Sequence, residues 1–173
     1  MAMIVEDGTG IEDANSYDTI AFVNSYHSDR GNTTWTGADS VKEYAIIKAT
    51  DYIERRWGPL FKGNQEFTSD PIQALSFPRI NLYDRNGNVV EGIPLKLQQA
   101  VAEYALRALV SGTLYEDPSP DDDITLTRKK IGPIEVETRW NENLVGSDVP
   151  EYPMADALLS EYVIATGGRS YRA

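Results

Sequence analysis

The chain contains no cysteine, which removes disulfides, thiolate catalysis and cysteine-bearing metal sites together. It has one histidine, His27, near the end of an expected helix and with no evident acid–base partner in the sequence, which leaves histidine catalysis little to work with. No run of eighteen apolar residues occurs, and the first residues lack a basic, apolar signal pattern, so a soluble protein without membrane insertion is expected. Positive charge is scarce as well: 16 lysines and arginines stand against 27 aspartates and glutamates, a formal net charge of −11. Residues 1–110 hold 10 basic and 15 acidic residues, and 111–173 hold 6 and 12, so the acidity is spread through the chain. A dedicated nucleic-acid surface normally shows as a basic patch or stripe. An acidic surface keeps a protein soluble, and it also repels phosphates, which lets a duplex slide past.

The usual signatures of chemistry are missing too. No serine stands in G-x-S-x-G, no GKT or GKS occurs, and Gly8-Thr9-Gly10 and Gly167-Gly168 are too short for a phosphate loop. Asp84-x-Asn86-x-Asn88 imitates the start of a calcium loop, but Val89 and Leu95 stand where that loop needs Gly and a bidentate Glu, so turn chemistry is expected there. Asp121-Asp122-Asp123 reads as a solvated acidic linker. No catalytic, cofactor or metal site is expected, and the chain does not read as an enzyme.

What is present is helical. With 173 residues the chain is long enough to bury a core without staples. Ser16 is placed to cap a first helix running to about Ser28, with Asp18 in its first turn. Trp35 follows in a polar loop and is expected to plug the core. Ser40 and Glu43 form a capping-box pattern ahead of a second helix, which Gly58-Pro59 stops. Arg55-Arg56 at its end suits the helix dipole; a phosphate clamp is the alternative. Leu60, Phe61, Phe67, Leu75 and Phe77 are expected to pack a loop-rich excursion onto the helices, and Asn86-Gly87 to turn a hairpin between residues 81–83 and 89–90. A third helix opens at Ile93-Pro94. It places Leu97, Val101, Tyr104, Ala105 and Ala108 on one row and Leu95, Ala102, Leu106 and Leu109 on a flanking one, and leaves Lys96, Gln99, Glu103 and Arg107 for water. So wide an apolar face fits a central helix, or one that also meets a second subunit.

After residue 116 the pattern changes. An acidic, proline-containing linker (117–123) leads to period-two alternation from Ile124 to Trp140 around Gly132-Pro133, a β-hairpin. A two-stranded hairpin alone is marginal in water, so it needs support from the body of the protein or from a neighbouring subunit. A last helix is expected from Met154 or Ala155 to Ala165, followed by a tail with Arg169 and Arg172. The expected architecture is mainly α: a small bundle of about four helices (core 1–116) with an appended β-hairpin and a C-terminal helix and tail (124–173), packing on the core or on neighbouring subunits.

Several weak motifs in order carry a resemblance. They are Val5-Glu6-Asp7-Gly8-Thr9-Gly10, Asp13-Ala14-Asn15-Ser16-Tyr17, Ala49-Thr50-Asp51-Tyr52-Ile53, and Phe77-Pro78-Arg79 followed by a turn and Ile93-Pro94. The chain resembles, over roughly residues 3–135, tailed-phage proteins labelled DnaT-like single-stranded DNA binding, related in design to head-to-tail adaptor (connector) proteins of the phage neck. Phe77 stands where relatives often have Trp. The resemblance implies a structural virion protein, made in the host cytoplasm and resident in the neck. It implies a homo-oligomeric ring of twelve subunits between the portal protein and the tail, stopper or nozzle proteins, passing double-stranded DNA without sequence-specific binding and using no cofactor. On that reading Met154, Leu158, Leu159, Tyr162, Arg169, Tyr171 and Arg172 are candidate portal contacts, and Ile124, Leu126, Ile134, Val136 and Trp140 candidate subunit contacts. The label points to an alternative, a single-stranded DNA-binding protein of phage replication, which needs stacking aromatics beside a basic groove. The one dense basic cluster is Arg128-Lys129-Lys130.

Overall fold

The computed structural model describes residues 2–69, 72–114, 126–131, 134–139 and 152–164. The protein is mainly α, four helices with a small antiparallel hairpin. In order these are α1 (Ile20–Asp29), α2 (Asp39–Arg56), a 3-10 turn (Gly58–Leu60), β1 (Asn64–Gln65), β2 (Arg79–Ile80), α3 (Leu95–Ser111), β3 (Leu126–Ile131), β4 (Ile134–Arg139) and α4 (Pro153–Leu159). The chain divides into two units: Met1–Leu114 with Glu151–Ala173, and Tyr115–Pro150.

In the first unit α3 is the central helix, packed by α1, α2 and α4. It starts after Pro94 and ends at Gly112, whose φ of 81° lies in the left-handed region that glycine enters freely. Leu97, Ala100, Val101, Tyr104, Ala105 and Ala108 are buried. The apolar face is narrower than the sequence suggested, because Leu95 is 58% exposed and Leu106 and Leu109 are only half-buried. Glu103, expected in water, is buried: it accepts from the Tyr26 hydroxyl of α1 at 2.9 Å and pairs with Arg107 one turn on. A hydroxyl donor and a guanidinium that compensates the charge make that burial tolerable. α2 runs antiparallel to α3, since Lys48 reaches Gly112 O whereas Trp57, further along, reaches the Tyr104 hydroxyl.

Two helix starts differ from expectation. The N-cap of α1 is Thr19, whose hydroxyl accepts from Phe22 N–H. Ser16 is engaged earlier, where residues 4–6 pair with 15–16 through Val5 and Ser16, and Asp18 precedes the helix. α2 begins at Asp39 with Ala38 at the N-cap and no side-chain cap, so Ser40 lies inside the helix and the capping box does not form. Trp35 is buried and donates from Nε1 to Asn24 at 2.8 Å. Of the residues expected to pack the 60–92 excursion, Phe61, Leu75 and Phe77 are buried and Leu60 and Phe67 half-buried. Phe67 closes over Gly10, where a β-carbon would come within 2.3 Å of its ring. The hairpin turn forms as expected: Tyr83 bridges Val89, and Gly87 adopts a φ of 84°.

α4 is shorter than expected. The chain turns after Leu159 and runs extended, with Lys62 N–H donating to Tyr162 O and Ile164 N–H to Leu60 O, both at 2.8 Å. Val163 and Ile164, β-branched, favour that extended pairing over another helical turn.

In the second unit β3 pairs antiparallel with β4, with Leu126 opposite Arg139 and Ile131 opposite Ile134. This register sets Arg128 opposite Glu137 and Lys130 opposite Glu135.

Candidate functional site

The Phe-Pro-Arg motif is a structural lock inside the first unit. The Phe77–Pro78 peptide is cis. The Arg79 guanidinium donates to four backbone carbonyls: Lys62 O at 2.7 Å, Gly63 O at 2.9 Å, Ser76 O at 3.0 Å and Phe61 O at 3.2 Å. Gly63 is required here, because a β-carbon would meet Ile80 O at 2.5 Å. Beside this knot Glu54 of α2 accepts from the Tyr17 hydroxyl and from both N–H and Oγ of Ser76, at 3.1 and 2.7 Å. Burial and the adjacent Glu54 carboxylate hold the Tyr17 phenol well above its ordinary pKa, so it stays a neutral donor. One carboxylate thereby ties the N-terminal arm, α2 and the cis-proline loop together.

A second polar cluster docks α4. Asp156, in its first turn, accepts from the Tyr104 hydroxyl, from Arg56 at 3.2 Å and from the N–H of Tyr152 at 3.2 Å. Trp57 Nε1 donates to the Tyr104 hydroxyl at 3.0 Å, and the rings of Tyr52, Tyr104 and Tyr152 meet with centroids 4.9–5.7 Å apart. Burial first, then Asp156, raises the Tyr104 phenol far above its usual range. Burial works against the Arg56 charge, but Tyr52 and Asp156 outweigh it and raise its pKa. The Arg55-Arg56 pair is therefore divided: Arg56 faces this cluster and Arg55 faces solvent.

His27 is a core histidine. Its Nε2 lies 3.0 Å from Ala102 O, and its Nδ1 lies 3.0 Å from the Asn32 side-chain amide nitrogen. A carbonyl only accepts and an amide nitrogen only donates, so the proton sits on Nε2. Burial pulls its pKa down, and both nitrogens are engaged. Asp84 is a turn residue: its carboxylate accepts from Asn86 N, Asn88 N and Asn88 Nδ2 at 2.8–2.9 Å, which lowers its pKa. No group of three or more potential metal-ligating side chains occurs among the described residues, nor a helix long and apolar enough to cross a membrane.

The candidate contact residues are distributed unevenly. Met154 is 66% exposed and Leu158 half-buried, but Leu159 and Tyr162 are buried in the chain's own core. The face of α4 that carries Leu159 is covered by this chain. Leu126, Ile134 and Val136 lie on the paired strands. Ile124, Trp140, Arg169, Tyr171 and Arg172 lie outside the described residues.

Sequence reasoning missed Glu54, Asp156 and the buried Asp18. Glu54 had a signal, since it lies one turn beyond Thr50 on the buried side of α2. Asp156 and Asp18 had none, because an acid near a helix start is ordinary.

The chain matches, over residues 1–173, the family described as "Putative DnaT-like ssDNA binding protein". Searches of curated proteins and of solved structures gave no match. With the match running its whole length, the chain belongs to the DnaT-like family so described.

Proposed function

We propose that this protein is a structural component of the tailed-phage virion, a head-to-tail adaptor that forms a ring between portal and tail and lets double-stranded DNA pass. The reading starts from the resemblance to neck adaptors, and the observation that carries it is where the cations go. Among residues 1–110, eight of the ten lysines and arginines hydrogen-bond to acceptors of the chain itself: Arg30, Lys42, Lys48, Arg56, Lys62, Arg79, Lys96 and Arg107. Cations held this way are poorly placed to take up phosphates, and a net charge of −11 repels a passing duplex rather than gripping it. The exposed Met154 and the tail 165–173 are the proposed portal contacts, and the hairpin the neighbour contact. Twelve subunits, portal and tail-side partners, and residence in the neck are parts of the same proposal, as is the lack of enzymatic activity.

A second reading, single-stranded DNA binding, is the one the family description favours directly. Tyr44 and Tyr83, 55% and 51% exposed, together with exposed Arg55 and Arg85, are the groups it would use for stacking and phosphate contact.

Deleting residues 167–173 tests the adaptor. Virions assembled with the truncated protein are expected to lack it at the portal while the purified chain keeps its helical circular dichroism. Normal attachment overturns the portal role of the tail. Electron micrographs of virions labelled with antibody to this chain, showing no label at the neck, overturn the adaptor.

A further inference from the structure

Two buried carboxylates near the N-terminus have been treated very differently by the fold. Glu6 accepts from the N–H groups of Gly8, Gly10 and Ile11 at 2.8–2.9 Å. Asp18, fully buried, has no hydrogen-bond partner for either carboxylate oxygen among the described residues. It sits where the N-terminal arm (residues 4–17) joins α1. There the Ser16 hydroxyl donates to Asp18 O at 2.8 Å and accepts from Asp18 N–H at 3.1 Å. Within the arm Glu6 N–H donates to Ser16 O at 2.8 Å and Ser16 N–H to Ile4 O at 3.1 Å, and the arm is fastened to the body by Ala74 N–H to Ile11 O at 3.2 Å and by Tyr17, which donates to Glu54 and accepts from Phe77 N–H at 3.2 Å. From α3 the side chain of Gln98, in the first turn, faces the carboxyl. No charged group contributes to its ionisation: burial pushes its pKa up, and the Gln98 side-chain amide, donating toward the carboxyl, pulls the other way, leaving it at about 8. An ionised carboxylate enclosed without partners is strongly unfavourable, whereas the neutral acid is tolerated.

We propose that Asp18 is a proton-controlled latch between the N-terminal arm and α3, docked with its carboxyl neutral and released when that carboxyl ionises and its proton passes to solvent. Release exposes the Ser16–Thr19 segment and brings Asp18 to water, where its acidity is ordinary. The latch is independent of whether the protein acts as an adaptor or as a DNA binder.

Carbon-13 NMR of the carboxyl in the unmodified chain reads the latch directly. The Asp18 signal is expected to titrate well above exposed aspartates, which titrate near about 4, and below the docked value of about 8, because release lets it ionise earlier; a midpoint at or below about 5 overturns the proposal. Amide hydrogen exchange adds location. After correction for intrinsic exchange, opening of residues 4–19 is expected to rise by nearly tenfold per pH unit between about pH 5 and 7, and to stay flat in Asp18→Asn. The same slope in both proteins overturns the latch. So does a rise shared equally by α2 and α3, which would mean that the charge loosens the whole fold.

Discussion

The two ends of the first unit lay short segments onto α3, and each brings an aspartate with it. At the C-terminal end Asp156 is met by a phenol, a guanidinium and a backbone N–H. At the N-terminal end Asp18 is enclosed with neither oxygen hydrogen-bonded among the described residues. The difference shows that depth alone does not decide what a buried acid does for a fold. A partnered carboxylate fastens its segment, and an unpartnered one makes its segment conditional on a proton.

Removing the fastened carboxylate has the largest expected effect. Asp156→Ala removes the acceptor of the Tyr104 hydroxyl and the carboxylate that pairs with Arg56, and a loss of about 3 kcal/mol in urea unfolding is expected. A loss under about 1 kcal/mol would erase the contrast with Asp18. The opposite sign is expected at the other end: Asp18→Asn stabilises by about 2 kcal/mol or more at pH 7. The folded carboxyl, at about 8 against 3.8 for the ordinary residue, keeps a proton that the unfolded chain gives up. Stability is therefore full below about pH 4 and falls as pH rises toward 8. The gain from Asp18→Asn accordingly shrinks toward zero near pH 4, and unfolding of both proteins across that range checks it.

Tyr104→Phe sharpens the comparison at single-bond level. It removes one donor from Asp156 and the acceptor of Trp57 Nε1, for an expected loss of about 1–2 kcal/mol. Exchange protection is expected to drop first in residues 152–164, and a uniform drop would contradict a local dock. The smallest effect is at His27. Its folded pKa is lowered by burial, so the unfolded chain takes up its proton first, and the native state loses stability as pH falls below about 6.5. Denaturation midpoints of His27→Gln measured between pH 5 and 7 are expected to lack that part of the slope.

Much of the frame was legible in the sequence. α3 announced itself by apolar spacing between Ile93-Pro94 and Gly112, and the 83–89 turn by Asn86-Gly87, because in both cases local chemistry and tertiary packing agree. Where they compete, the tertiary demand won. Ser16 is held by a strand pair, so the cap of α1 moved to Thr19. Glu103 found two partners inside, so a nominally solvent position became core. The pairing of Lys62 with Tyr162 and of Leu60 with Ile164 stopped α4 early, which covers Leu159 and Tyr162 with the chain itself rather than with a partner. The Phe-Pro-Arg motif was legible as a recurring pattern but not as a lock, since the four carbonyls that Arg79 gathers come from two separate stretches of chain, residues 61–63 and residue 76.

The engagement of lysine and arginine within the fold is tested most directly by titrating labelled single-stranded oligonucleotide into the full chain at 50 and 200 mM salt. The expected result is no saturable binding tighter than about 10⁻⁴ M at the lower salt, the weak end of non-specific affinity. Sub-micromolar binding that collapses by orders of magnitude at the higher salt would contradict it and favour single-stranded DNA binding.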